Sequence, residues 1–125
     1  MHRLNLEHRI TTDGEHHLLL SLPDGPYTMR ASDVEVLMQT LAEYREIMQP
    51  PVTTEAPSGP RAAVLDPLCY MVHEPLINGC GLHLRHPGLG WLSFGIPLKS
   101  LQDLRSITGK MLADLRQEKE SVRQN

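Results

Sequence analysis

Read along its apolar and polar positions, the chain alternates with period two, then shifts to helical period, and does so twice. Leu4, Leu6, His8 and Ile10 alternate with polar residues up to Asp13-Gly14. A second alternating run spans Leu18 to Leu22, Pro23-Asp24-Gly25 breaks it, and a third covers Tyr27 to Ala31. Alternation bounded by Gly, Pro, Asn and Asp predicts strands joined by tight turns. The second half predicts the same order: a strand over Cys69 to Ile77, the turn Asn78-Gly79, a strand over Cys80 to His86, the turn Pro87-Gly88, and a strand over Trp91 to Ile96.

A helix follows each trio. Ser32-Asp33-Val34-Glu35 has the spacing of a capping box. Val34, Leu37, Leu41, Tyr44 and Met48 then recur on one helical face until Pro50-Pro51 closes the run. The second helix begins near Pro97 or Ser100 and places Leu101, Leu104, Ile107, Met111 and Leu115 on one face. Residues 118–125 have little to bury and are expected to fray.

Superposing the two halves at one constant offset lays His8 on His73, Asp13-Gly14 on Asn78-Gly79, and Tyr27, Met29 and Ala31 on Leu92, Phe94 and Ile96. The fold class that follows is α+β: antiparallel sheet with two helices, arranged as an internal βββα–βββα pseudo-repeat whose halves can share one sheet. The expected layout is a single domain, 1–125, with half-repeats 1–49 and 63–117. Residues 50–62, rich in Pro, Thr, Ser and Gly, serve as the linker, and a linker of that length permits exchange of halves in a homodimer.

Composition weighs against several function classes without excluding a nucleic-acid surface. The 125 residues carry a net charge of −3 with 40% apolar content. A chain of that size and composition can build a core without metal or disulfides. No basic stripe marks a nucleic-acid surface, and no apolar run approaches a membrane span. Two cysteines and an N-terminus without a continuous apolar block point to the cytoplasm.

The candidate chemistry is concentrated in LCYMVHEPLINGCGLHLRHPG, residues 68–88. If Asn78-Gly79 is a two-residue loop, Ile77 pairs with Cys80, Glu74 with His83, His73 with Leu84 and Met71 with His86. Cys69 and Cys80 then stand about 26 Å apart and share neither a disulfide nor a metal ion. Cys69, His73 and His86 are left as a weak candidate metal cluster at one end of the hairpin, a three-ligand set of the kind that keeps an open position on zinc. The first hairpin, with Asp13-Gly14-Glu15 as its loop, pairs Ile10 with Leu18 and His8 with Leu20. His8 and His73 then both face leucines, which favours a structural role for these histidines.

No nucleophile elbow and no phosphate loop occurs, so no catalytic residue and no cofactor are assigned. The remaining candidates are surfaces. Tyr70, Val72, Glu74, His83 and Arg85 share one sheet face, and Leu89 and Trp91 follow on a glycine-rich turn. Tyr, Trp and Arg are enriched where proteins meet. The expected function is that of a small non-enzymatic protein-binding module, an inhibitor, adaptor, chaperone or regulator, with a protein partner and no membrane. The alternatives are a single-stranded nucleic-acid binder using the sheet face, and a small metal-dependent protein using Cys69, His73 and His86.

Overall fold

The computed structural model describes residues 5–124, so Leu4 lies outside the described residues. The chain divides into two compact units, Met1–Arg61 and Ala62–Asn125. Each contains one three-stranded antiparallel sheet followed by one helix, so the α+β class and the βββα–βββα order stand. The halves do not share a sheet: each keeps its own.

In the first unit β1 (Leu6–Ile10), β2 (His16–Leu22) and β3 (Gly25–Arg30) run in chain order. The first turn has three loop residues, as expected, but they are Thr12-Asp13-Gly14. Thr11 N donates to Glu15 O at 2.9 Å, and Gly14 N donates to Thr11 O at 2.9 Å. Gly14 takes φ 83°. That is the left-handed position which ends this kind of loop and favours glycine. The register therefore moves: Ile10 faces His16, and His8 faces Leu18 instead of Leu20.

The first helix, α1 (Ala31–Ile47), starts one residue before Ser32, and Arg30 is its N-cap. The cap is one-sided and is made by Asp33, whose Oδ2 accepts from Arg30 N at 3.0 Å, and not by the expected Ser32/Glu35 pair. Val34 and Met38 are partly covered, whereas Leu41, Tyr44 and Met48 of the expected stripe stay exposed. The helix stops before the prolines, and Arg45 Nη1 donates to Pro50 O at 3.0 Å.

The second unit holds β4 (Cys69–Glu74), β5 (Gly79–His86) and β6 (Gly90–Pro97), again in chain order, then α2 (Leu98–Gln124). Here the expected turn is wrong. Asn78-Gly79 does not form a two-residue loop, because Pro75–Ile77 forms a single 3₁₀ turn and Asn78 closes it in the left-handed region at φ 46°. Pro75 is the physical reason. It has no N–H to give to a strand ladder, and its fixed φ suits the first position of a helical turn. Expected strand residues 75–77 become loop, and the register moves by four: Glu74 faces Gly79, His73 faces Cys80, Met71 faces Leu82 and Cys69 faces Leu84.

A shift of four is even, so it changes every partner but no face. One face carries Cys69, Met71, His73, Cys80, Leu82, Leu84 and His86, continued on β6 by Leu92, Phe94 and Ile96. Burial centres there: Cys80, at 7% exposure, is the buried apolar side chain among the described residues, and Leu82, Leu84, Leu92 and Ile96 around it are partly covered. The start of α2 contributes partly buried Leu101, and Leu104 and Ile107 line a groove of about 370 Å³ with Gly95, Ile96 and Pro97. The helix extends to Gln124, so the tail expected to fray lies within the helix. Arg, Gln, Glu and Lys dominate that last stretch and are strong helix formers that need no burial to hold the turn.

Candidate functional site

The turn built on Pro75–Ile77 assembles the opposite face of the second sheet. Tyr70 now faces His83, and His83 in turn faces Ser93 on β6; Arg85 faces Trp91. The expected cross-strand pair of Glu74 with His83 does not exist, since Glu74 lies opposite Gly79 at the far end of the sheet. In its place stands an aromatic cluster. Tyr70 and His83 stack with ring centroids 4.4 Å apart and planes at 12°, and Trp91 meets Tyr70 edge-on at 5.2 Å and 65°. Both arrangements are among those that the ring quadrupole favours. His83 Nδ1 and Ser93 Oγ share a hydrogen bond of 2.8 Å, which fixes the imidazole within the group.

Glycines let these side chains lie low. A Cβ added to Gly81 would sit 3.1 Å from His83 Nε2 and 3.2 Å from Val72 Cγ2. One on Gly95 would sit 3.1 Å from Ile77 Cδ1. Val72, His83 and Ile77 therefore lean over bare backbone. The cluster remains open to water above: Tyr70 is 49% and Trp91 47% exposed, and Arg85 beside them is exposed too.

Of the residues expected to form an interaction surface, Tyr70, Val72, Glu74, His83, Arg85 and Trp91 share this face, and the structure draws Tyr70, His83 and Trp91 into contact. Leu89 stands apart in the turn before β6, exposed. Ser93 was not among the expected residues; its position two residues after Trp91, on the same face of a strand, was the signal available.

The candidate cluster of Cys69, His73 and His86 is not assembled. His86 remains diagonal to Cys69, but His73 faces Cys80. The rise along β5 puts Cys80 about 20 Å from His86. His86 instead caps the turn into β6, its Nδ1 accepting from Gly88 N and Leu89 N, each at 3.0 Å. Among the described residues no group of three or more His, Cys, Asp or Glu is placed to hold a metal ion. Cys69 and Cys80 are both free thiols. The observed register brings them to about 13 Å along the strands, closer than a two-residue loop would, yet still beyond bridging distance.

The first unit presents a more polar outer face. Glu15 Oε1 pairs with Arg30 Nε at 3.0 Å, and its Oε2 lies 3.5 Å from His17 Nε2. Glu7 and Arg9 pair at 2.9 Å on the edge strand. The hydrogen bond from Arg9, reinforced by its charge, holds the Glu7 carboxyl below the usual glutamate range. No described helix is long and apolar enough to cross a membrane. The chain is an α+β protein of two successive βββα units, the second with an aromatic, arginine-edged sheet face. Comparison with family models, curated proteins and solved structures finds no match to it.

Proposed function

We propose that the chain is a small non-enzymatic protein-binding module of the cytoplasm, acting as an inhibitor, adaptor, chaperone or regulator through the outer face of its second sheet. One observation carries this reading: Tyr70, His83 and Trp91 are packed on one another yet half open to water, with Arg85 at their edge. Aromatic rings and arginine dominate the residues whose truncation costs most binding energy. Rings already held by their neighbours have little rotamer freedom left to lose, so docking on them carries a small entropic cost. Exposed apolar side chains elsewhere, such as Leu41 and Tyr44 on α1 and Met111 and Leu115 on α2, offer further area for a partner or for a second copy of the chain.

Retention of one partner from host extract on the immobilised full chain is the test. Tyr70→Ala and Arg85→Ala are each expected to release it while their circular dichroism matches the parent. Retention unchanged in both variants removes this face as the binding surface.

A second reading has its own support. Aromatic rings and an arginine on one sheet face also make a stacking platform for single-stranded nucleic acid. Quenching of Trp91 by short oligonucleotides at low salt, reversed by added salt, supports that reading. Absence of quenching at low salt removes it.

A further inference from the structure

We propose that His8 and His16 form a two-imidazole clip for a divalent transition-metal ion, with copper(II) and nickel(II) as the fitting ions. The two residues occupy the same face of the first sheet. His8 lies opposite Leu18, and His16 is two residues from Leu18 on β2, so the two histidines are diagonal neighbours. Nε2 of His8 is 2.9 Å from Nδ1 of His16, and the ring centroids are 5.0 Å apart with planes at 20°, so the rings meet nearly edge to edge.

A hydrogen bond with one proton between these nitrogens accounts for the contact in the absence of metal. Moving that proton to the other nitrogen of the donor ring keeps both imidazoles neutral. It leaves two lone pairs facing each other, and a turn of each ring by about 45° aims both at one ion. No proton is released in the exchange.

The nitrogens start closer to the spacing of one coordination geometry than of another. Metal–imidazole bonds of roughly 2.0–2.1 Å place two nitrogens about 2.9 Å apart when they sit at right angles on the ion. A tetrahedral angle needs about 3.4 Å with the same bond length. Right-angled positions belong to square-planar and octahedral ions, and imidazole suits copper and nickel. His17 is no third ligand, since it points to the other face, where its Nε2 approaches Glu15. The remaining positions on the ion are therefore taken by water. An ion held this way ties edge strand β1 to β2, and whatever binds the folded hairpin alone stabilises it.

The test uses the full chain without a tag. Every sample carries His2→Asn, which takes the histidine outside the described residues out of the count. Nickel chloride and copper sulfate are the probes. Calorimetry is expected to show one equivalent bound, with affinity reduced by about tenfold or more in His8→Asn and in His16→Asn. His17→Asn is expected to bind as the parent does. Because both histidines are exposed, the variants should keep the parent's circular dichroism, and electron paramagnetic resonance of the copper-loaded parent supplies an independent reading. Two-nitrogen coupling in that spectrum is the expected result. A spectrum without nitrogen coupling, or affinity unchanged by either substitution, overturns the clip.

Discussion

Tyr70 lies flat against His83 across the β4–β5 ladder, with ring centroids 4.4 Å apart and planes at 12°. The pair exists because Pro75–Ile77 turns as a 3₁₀ helix and shifts the ladder away from the register of a two-residue hairpin. Tyr70 also receives the edge of Trp91, so its ring is the shared member of two contacts.

Removing that ring should loosen the whole outer face. Tyr70→Ala is expected to lower the stability of the second unit by about 1–2 kcal/mol, the worth of aromatic contacts plus a half-covered ring. Tyr70→Phe keeps both ring contacts and is expected to stay within about 0.5 kcal/mol of the parent. Urea unfolding followed by Trp91 fluorescence measures both. An alanine variant with the parent's midpoint would show that the cluster contributes nothing.

Two glycines should respond in opposite directions. A Cβ on Gly79 would overlap the carbonyl oxygen of Ile96 on β6, and backbone cannot swing aside as a flexible side chain can. Gly79→Ala is therefore expected to cost about 3 kcal/mol or more, enough to erase the second sheet's cooperative transition. Gly109, inside α2, has open space where its Cβ would go. Gly109→Ala is expected to stabilise by about 1 kcal/mol through helix propensity and a less disordered unfolded chain. Thermal melts of the two variants on opposite sides of the parent are the expected outcome.

Asn78 is held at φ 46°, with its N–H donating to Pro75 O at 3.2 Å and its carbonyl accepting from Leu98 N at 3.0 Å. Asparagine tolerates this left-handed conformation better than alanine does. Asn78→Ala is expected to cost about 1 kcal/mol and Asn78→Gly close to nothing. Equal denaturation midpoints for the two variants would count against the left-handed turn.

The Glu7–Arg9 pair sets a pH effect of known sign. The Arg9 hydrogen bond, and then its charge, lower the folded-state pKa of Glu7, so the pair favours the fold above the unfolded glutamate pKa. That contribution is lost as pH falls through the lowered value. Carboxyl carbon titration by NMR should find Glu7 ionising at higher pH in Arg9→Gln than in the parent. Matching curves in the two proteins would dismiss the pair.

Much of the architecture was legible from period and punctuation. The strands, the two helices and their order follow from alternation, from Gly, Pro, Asn and Asp at the breaks, and from stripes such as Leu101-Leu104. The duplicated order was visible in His8 over His73 and in Tyr27 and Met29 over Leu92 and Phe94. Turn type was harder to read. Asn78-Gly79 carries a strong two-residue signal, but Pro75 a few positions earlier competes with it, and the weighing of one against the other is a property of the ladder they close. The partner of Tyr70 could not be named until that contest was resolved.

Side-chain parity was robust against this error, because a slip of four, or of two in the first hairpin, preserves the face on which each residue sits. Alternation alone therefore assigns Tyr70, Val72, His83 and Arg85 to a common face, since a period of two survives any even shift. Contact between them is a different matter, and it came from the folded ladder. Tyr70 meets His83, His73 meets Cys80, and His73 stands far from Cys69 and His86. Register depends on the summed geometry of a turn and a ladder, and no local pattern in the chain contains that sum.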